Sequence, residues 1–132
     1  MGNRTATEIV DAYLDALEGR DFDRARTYLS SESFSFRGPI ASFNSADDFI
    51  LYCTRVGPIL EAIERRKTFV NGDEVCHILN FITRMSVRTT TPVVQWAQVE
   101  RDKIIAIEVF FDAQAYARFF DDPTSNGYVV QP

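Results

Sequence analysis

The chain has 132 residues, 45% of them hydrophobic and 25% charged, the balance of one globular domain; this argues against disorder, collagen-like repeats and multidomain organisation. Its 14 basic and 19 acidic residues leave a net charge of −5, which repels phosphate backbones and anionic lipid, so no nucleic-acid or membrane partner is expected. Aromatic residues make up 13% of the chain, with eleven Phe, five Tyr and one Trp, enough apolar surface for a core and for a pocket or an interface as well.

The first residues, Met1 to Glu8, contain no apolar run, and no segment is long and apolar enough to span a bilayer, so a cytoplasmic protein is expected. Thr5 and Glu8 have the spacing of a capping box, and Ile9, Val10, Tyr13, Leu14 and Leu17 recur at helical intervals before Gly19; this predicts a helix over 6–18. Asp21 is placed to cap a second short helix over 22–29, forming a helical hairpin with the first. Ser33-Phe34-Ser35-Phe36-Arg37 alternates like a strand and stops at Gly38-Pro39. Ser45, with Asp48 three residues on, caps a third helix that runs through Phe49, Ile50, Cys53 and Val56 and is kinked or ended by Pro58.

Strands follow. They are expected over 64–70, a turn at Asn71-Gly72, then over 75–87, 92–99 and 103–111. Asp112 caps a last helical turn over 113–120. Residues 1–123 form a single domain and 124–132 a loosely ordered tail. Helices first and a meander of strands afterwards predict an α+β fold, a curved antiparallel sheet with the N-terminal helices on its concave face. Cys53 and Cys76 lack CxxC spacing and His77 is the only histidine, so neither a disulfide scaffold nor a histidine-based metal centre is expected, and no cofactor is called for.

The element order, with the phrases Tyr13-Leu14-Asp15-Ala16-Leu17-Glu18-Gly19-Arg20-Asp21, Asn71-Gly72-Asp73-Glu74-Val75 and Asp102-Lys103-Ile104 leading to Val109-Phe110-Phe111-Asp112, resembles the nuclear transport factor two-like superfamily, in particular its SnoaL-like branch, over about residues 6–120. The resemblance implies a cone-shaped α+β roll enclosing a pocket, with a convex sheet face that commonly makes a dimer. Members include ketosteroid isomerases, limonene epoxide hydrolases, scytalone dehydratases, polyketide cyclases and noncatalytic modules, so the fold does not choose the function.

Period-two alternation, with a tight turn at Arg101-Asp102, puts Val94, Trp96 and Gln98 on one face with Ile105, Ile107 and Val109, taken as concave and extended by Phe111. The opposite set, Gln95, Ala97, Val99, Glu108 and Phe110, is too apolar for a solvated face, which fits a convex-face homodimer. Alignment with the hydrolase pattern puts Val75, His77, Leu79, Phe81 and Thr83 inside. Resemblance to the isomerases puts Tyr13 at their oxyanion-donating tyrosine, yet Arg37 falls where they carry the base and Val94 or Trp96 where they carry the protonated aspartic acid. The inward Arg, Asp and distal Asp of the epoxide hydrolases fall on Leu79, Phe81 and Val109. Both named chemistries lack essential groups.

What remains is His77 with Tyr13 as candidate acid–base residues, in a pocket of Trp96, Gln98, Tyr52, Arg37, Leu79, Phe81, Val94, Ile107, Val109 and Phe111. His77 is a proton shuttle by its near-neutral pKa or a neutral core histidine; Tyr13 is a donor or a core aromatic. Two functions are consistent with these residues. One is a protein that binds a small hydrophobic, cyclic or polyketide-like molecule, with cofactor-free acid–base chemistry through His77. The other is a noncatalytic dimeric binding or assembly module.

Overall fold

The computed structural model describes residues 4–114. Three helices come first: α1 (Ala6–Glu18), α2 (Phe22–Thr27) and, after the short strands β1 (Ser35–Arg37) and β2 (Ser42–Phe43), α3 (Ala46–Val56). A 3-10 turn (Gly57–Ile59) then leads into four long strands, β3 (Leu60–Asn71), β4 (Glu74–Arg84), β5 (Arg88–Glu100) and β6 (Lys103–Phe110). The caps anticipated at the starts of α1, α2 and α3 are formed: Thr5 and Glu8 make a reciprocal capping box, Asp21 accepts from the Arg24 N–H, and Ser45 accepts from the Asp48 N–H. Helix α2 stops at Thr27 rather than 29, because the chain is there drawn onto β6: Tyr28 and Ser30 exchange backbone hydrogen bonds with Ile104.

The six strands form one sheet in the order β2-β1-β6-β5-β4-β3. Four of its pairings are antiparallel, as expected, but β1 runs parallel to β6, so the sheet is mixed. The chain can make that parallel pair because α3, the 3-10 turn and four strands lie between the two partners. The β3–β4 turn is Gly72-Asp73, one residue later than anticipated, with Gly72 at φ 61° in the left-handed region. At the β5–β6 turn Arg101 and Asp102 both have positive φ, so that hairpin is a two-residue turn as assumed. Strand β5 begins at Arg88, before Pro92; β6 reaches only to Phe110 opposite Val94, so around Pro92 the strand is paired on one side alone and tolerates a missing N–H.

Side-chain facing on β4 is as expected, with Val75, His77 and Leu79 fully buried and Thr83 buried beyond Phe81. On β5 it is reversed. Thr91, Val93, Gln95, Ala97 and Val99 are the buried set, while Val94, Trp96 and Gln98 face outward with Phe110. The cause is a bulge. Val99 pairs with Ile104 but Gln98 pairs with Ala106, so Ile105 is an extra residue that turns odd counting from the hairpin into even. Two more extra residues, Glu61 and Arg66, interrupt β3, whereas β4 and β5 pair without a break over eleven positions. Bulges increase local bend and twist, and these three lie on the two strands flanking the regular β4–β5 ladder.

Helices α1 and α3 cover the concave face. Ile9, Val10, Tyr13, Leu14 and Leu17 of α1 share one core with Phe49 and Cys53 of α3 and with Leu79, Val93, Ala97, Ile104 and Ile107 of the sheet. Three carboxylates on α1 tie the helix to strand β3. Asp15 is 2.7 Å from an Arg65 nitrogen, Asp11 is 3.8 Å from Arg65 Nε, and Glu18 accepts a hydrogen bond from the Ile63 N–H at 3.0 Å. The expected last helix over 113–120 and the tail over 124–132 lie, beyond residue 114, outside the described residues. No helix among the described residues is long and apolar enough to cross a membrane.

Candidate functional site

A cavity of about 160 Å³ lies between the concave face and the helices. One wall is aromatic. Phe36 of β1 stacks on Phe49 of α3 with centroids 4.4 Å apart, and Phe43 bridges Phe49 and Tyr52 at 6.1 and 5.1 Å. Phe36, Phe49 and Tyr52 line the cavity together with Phe22, Phe81 and Phe111. The floor is the sheet, through Thr83, Thr91, Val93, Gln95 and Val109, and the far side is Tyr13 and Leu17 of α1 with the segment from Val56 to Leu60.

Among the described residues the lining contains no Asp, Glu, Lys, Arg or His. Its titratable groups are Tyr13, Tyr52 and Cys53. Burial pushes the Cys53 thiol up to about 12, and burial followed by the nearby Cys53 pushes the Tyr13 hydroxyl well above the usual phenol range. Both stay neutral at ordinary pH. Three polar side chains of the floor are deeply buried, Gln95 at 2%, Thr83 at 4% and Thr91 at 5% exposure, and of these the Gln95 Nε2 and Thr83 Oγ1 atoms have no partner within the described residues.

Of the residues proposed from sequence, Tyr13, Tyr52, Phe81, Val109 and Phe111 line this cavity. His77, Leu79 and Ile107 face the same way but are packed into the core behind it. Trp96, Val94, Gln98 and Arg37 do not face it: the Ile105 bulge puts the first three on the outer side of β5, and Arg37 is exposed where β1 meets Glu108 of β6. Trp96 instead donates to Glu74 at 3.1 Å, across the outer face. Gln95, expected outward by the same parity count, faces the cavity instead. The 56–60 wall carried only a helix stop signal, Pro58, and no sign of its second role.

His77 is fully buried under α1, with Nε2 3.0 Å from Asp11 Oδ1. A carboxylate only accepts, so the neutral ring carries its hydrogen on Nε2, and Nδ1, the remaining acceptor, has no partner within the described residues. Desolvation lowers the His77 pKa, and Asp11 opposes that shift in part. The imidazole is therefore held neutral, and its cross-strand partner on β5 is Gln95. Among the described residues no three His, Cys, Asp or Glu side chains come together to hold a metal ion.

Neither a family model nor a curated protein matches the sequence. Solved structures do match its shape. A nuclear transport factor two-like protein of unknown function from Cytophaga hutchinsonii superposes with a TM-score of 0.77 at 21% identity, over 87% of this chain and 97% of the other. A protein of Shewanella denitrificans, provisionally assigned as a SnoaL-like polyketide cyclase, gives 0.74 at 14% identity over 92% and 98%. A Catenulispora acidiphila protein with a ketosteroid isomerase-like fold, solved with trimethylamine, gives 0.71 at 14% over 80% and 85%. The chain thus has the nuclear transport factor two-like fold; at these identities the likeness extends to the fold alone.

Proposed function

We propose that this chain, with its nuclear transport factor two-like fold, is a binding protein for a small hydrophobic molecule held in the cone. One observation carries the reading: an aromatic and aliphatic cavity of about 160 Å³ with a few polar groups converging on it, the general form of a small-molecule site. The trimethylamine complex of the Catenulispora protein supports it as a precedent for ligand binding by this fold. Acid–base catalysis is the weaker reading here. A shuttle must reach the reacting atom, whereas His77 is packed behind the lining and Tyr13 and Cys53 both hold their protons far above neutral pH.

A neutral fluorescent hydrocarbon amine, 1-aminoanthracene, tests the site. The wild-type chain is expected to bind it saturably at one per chain, and Val93→Trp, which fills the floor, to weaken it at least tenfold while still unfolding cooperatively. Non-saturable fluorescence with the wild type would refute the reading.

The same reading includes a homodimer through the outer sheet face. Val94, Trp96 and Phe110 are 36%, 38% and 49% exposed there, with Ile78 pairing to Val94 and Cys76 to Trp96. Such a contiguous apolar face is used for burial against a partner. Sedimentation equilibrium should report a dimer for the wild type and a monomer for Trp96→Lys; a wild-type monomer at tens of micromolar would exclude this interface.

A further inference from the structure

We infer that the ligand is an uncharged molecule with a hydrogen-bond-accepting oxygen at the end that meets Gln95 and a second polar atom at the end that meets Thr83. This rests on the small-molecule reading of the cavity and narrows it to a chemical class.

Three observations converge. The first is charge. With no ionised side chain among the described lining residues, a carboxylate, phosphate or ammonium would enter without a counter-charge, and burying an unpaired ion is far more costly than burying a neutral group. The second is the Gln95 carboxamide. Its Nε2 is a donor, the side chain is 98% buried, and no described residue accepts from it, although buried amide donors are nearly always paired. The matching group is an acceptor without charge, such as a carbonyl or ether oxygen.

The third is spacing. Gln95 sits opposite His77 and Thr83 opposite Thr89, six steps apart on a ladder without bulges. On a flat strand that is about 20 Å, and the bent sheet shortens it. The two orphaned groups therefore mark opposite ends of the cavity floor, with Val93, Phe81 and the Phe36, Phe49 and Tyr52 wall between them. A molecule that satisfies both has an apolar middle and a polar atom at each end.

The test compares isosteric probes by calorimetry: 2-acetylnaphthalene, with a neutral carbonyl; 2-ethylnaphthalene, without an acceptor; and 2-naphthoate, an anion. Gln95→Met keeps length and flexibility and removes the donor. It is expected to weaken 2-acetylnaphthalene by about three- to tenfold and to leave 2-ethylnaphthalene within twofold, because the net worth of one buried hydrogen bond is of that size. The anion is expected to bind at least a hundredfold more weakly than the ketone.

Thr83→Val should leave 2-acetylnaphthalene unchanged and weaken 2-acetyl-6-hydroxynaphthalene, which carries a polar atom at its far end. Equal losses for ketone and hydrocarbon in Gln95→Met, or an anion that binds as well as the ketone, overturn this inference and leave the cavity a ligand site. Failure of both neutral probes to bind the wild type overturns the two readings together.

Discussion

Replacing Tyr13 with alanine is expected to lower the stability of the folded chain by about 3–5 kcal/mol, as for other buried aromatic truncations. The ring is fully buried on α1, where it meets both the core and the cavity, so its removal merges the two spaces and leaves Leu17, Phe49 and Cys53 under-packed. For a domain of this size the loss corresponds to a fall in Tm of roughly 10–20 °C, measurable by circular dichroism. Tyr13→Phe separates the two roles. It keeps the ring and should stay within about 1 kcal/mol of the wild type, because removing a buried hydroxyl without a strong partner is nearly neutral. If Tyr13→Phe instead destabilises as much as the alanine variant, the hydroxyl rather than the ring holds α1 in place.

The second large effect concerns Asp11 and His77. Asp11→Ala leaves a fully buried imidazole with neither nitrogen paired within the described residues, which should cost about 1–3 kcal/mol. Adding His77→Leu should restore most of that loss, since removing both partners of a buried polar contact costs much less than removing one. The pH dependence follows from the lowered His77 pKa. As pH falls, the unfolded chain takes up the proton first, at about 6.5, while the folded chain resists it until its own lower pKa is reached.

Stability is thus insensitive to this group above about pH 6.5, declines between the unfolded and folded values, and levels off below the folded one. In Asp11→Ala the group that raises the pKa is gone, so the decline extends to lower pH; in His77→Leu it vanishes. Urea denaturation from pH 8 to 4.5 reads all three cases. A wild-type stability that rises as pH falls through 6 would mean that the Asp11 contact outweighs desolvation.

Much of the architecture is written locally. Thr5 with Glu8, Asp21 and Ser45 start their helices through short-range hydrogen bonds, and the inner face that the hydrolase resemblance implies for Val75, His77, Leu79 and Thr83 holds along β4 because that strand has no irregularity. The parity of β5 was lost because it was counted from a correctly placed turn across a bulge. Nothing about Ile105, an ordinary strand former between Ile104 and Ala106, marks it as the extra residue.

That single step moved Trp96 and Val94 out of the site and hid Gln95, whose polarity reads as an outward position unless a cavity is known to lie above it. Val56 to Leu60 was invisible for another reason: its contact with the cavity depends on where α3 docks. That is a long-range fact no local pattern encodes. The parallel β1–β6 pair escaped for the same reason.

The Ile105 bulge has a consequence for how such a chain tolerates changes of length. Deleting Ile105 would make the pairs Val99 with Ile104 and Gln98 with Ala106 consecutive, so every inward and outward assignment on β5 and β6 survives. What changes is curvature, and with it the breadth of the bowl. Single-residue gains and losses at this point are therefore a route by which descendants of one gene could accommodate bulkier or slimmer cargo while Val93, Gln95 and Val109 stay unaltered, and an alignment scored on substitutions alone would miss the event.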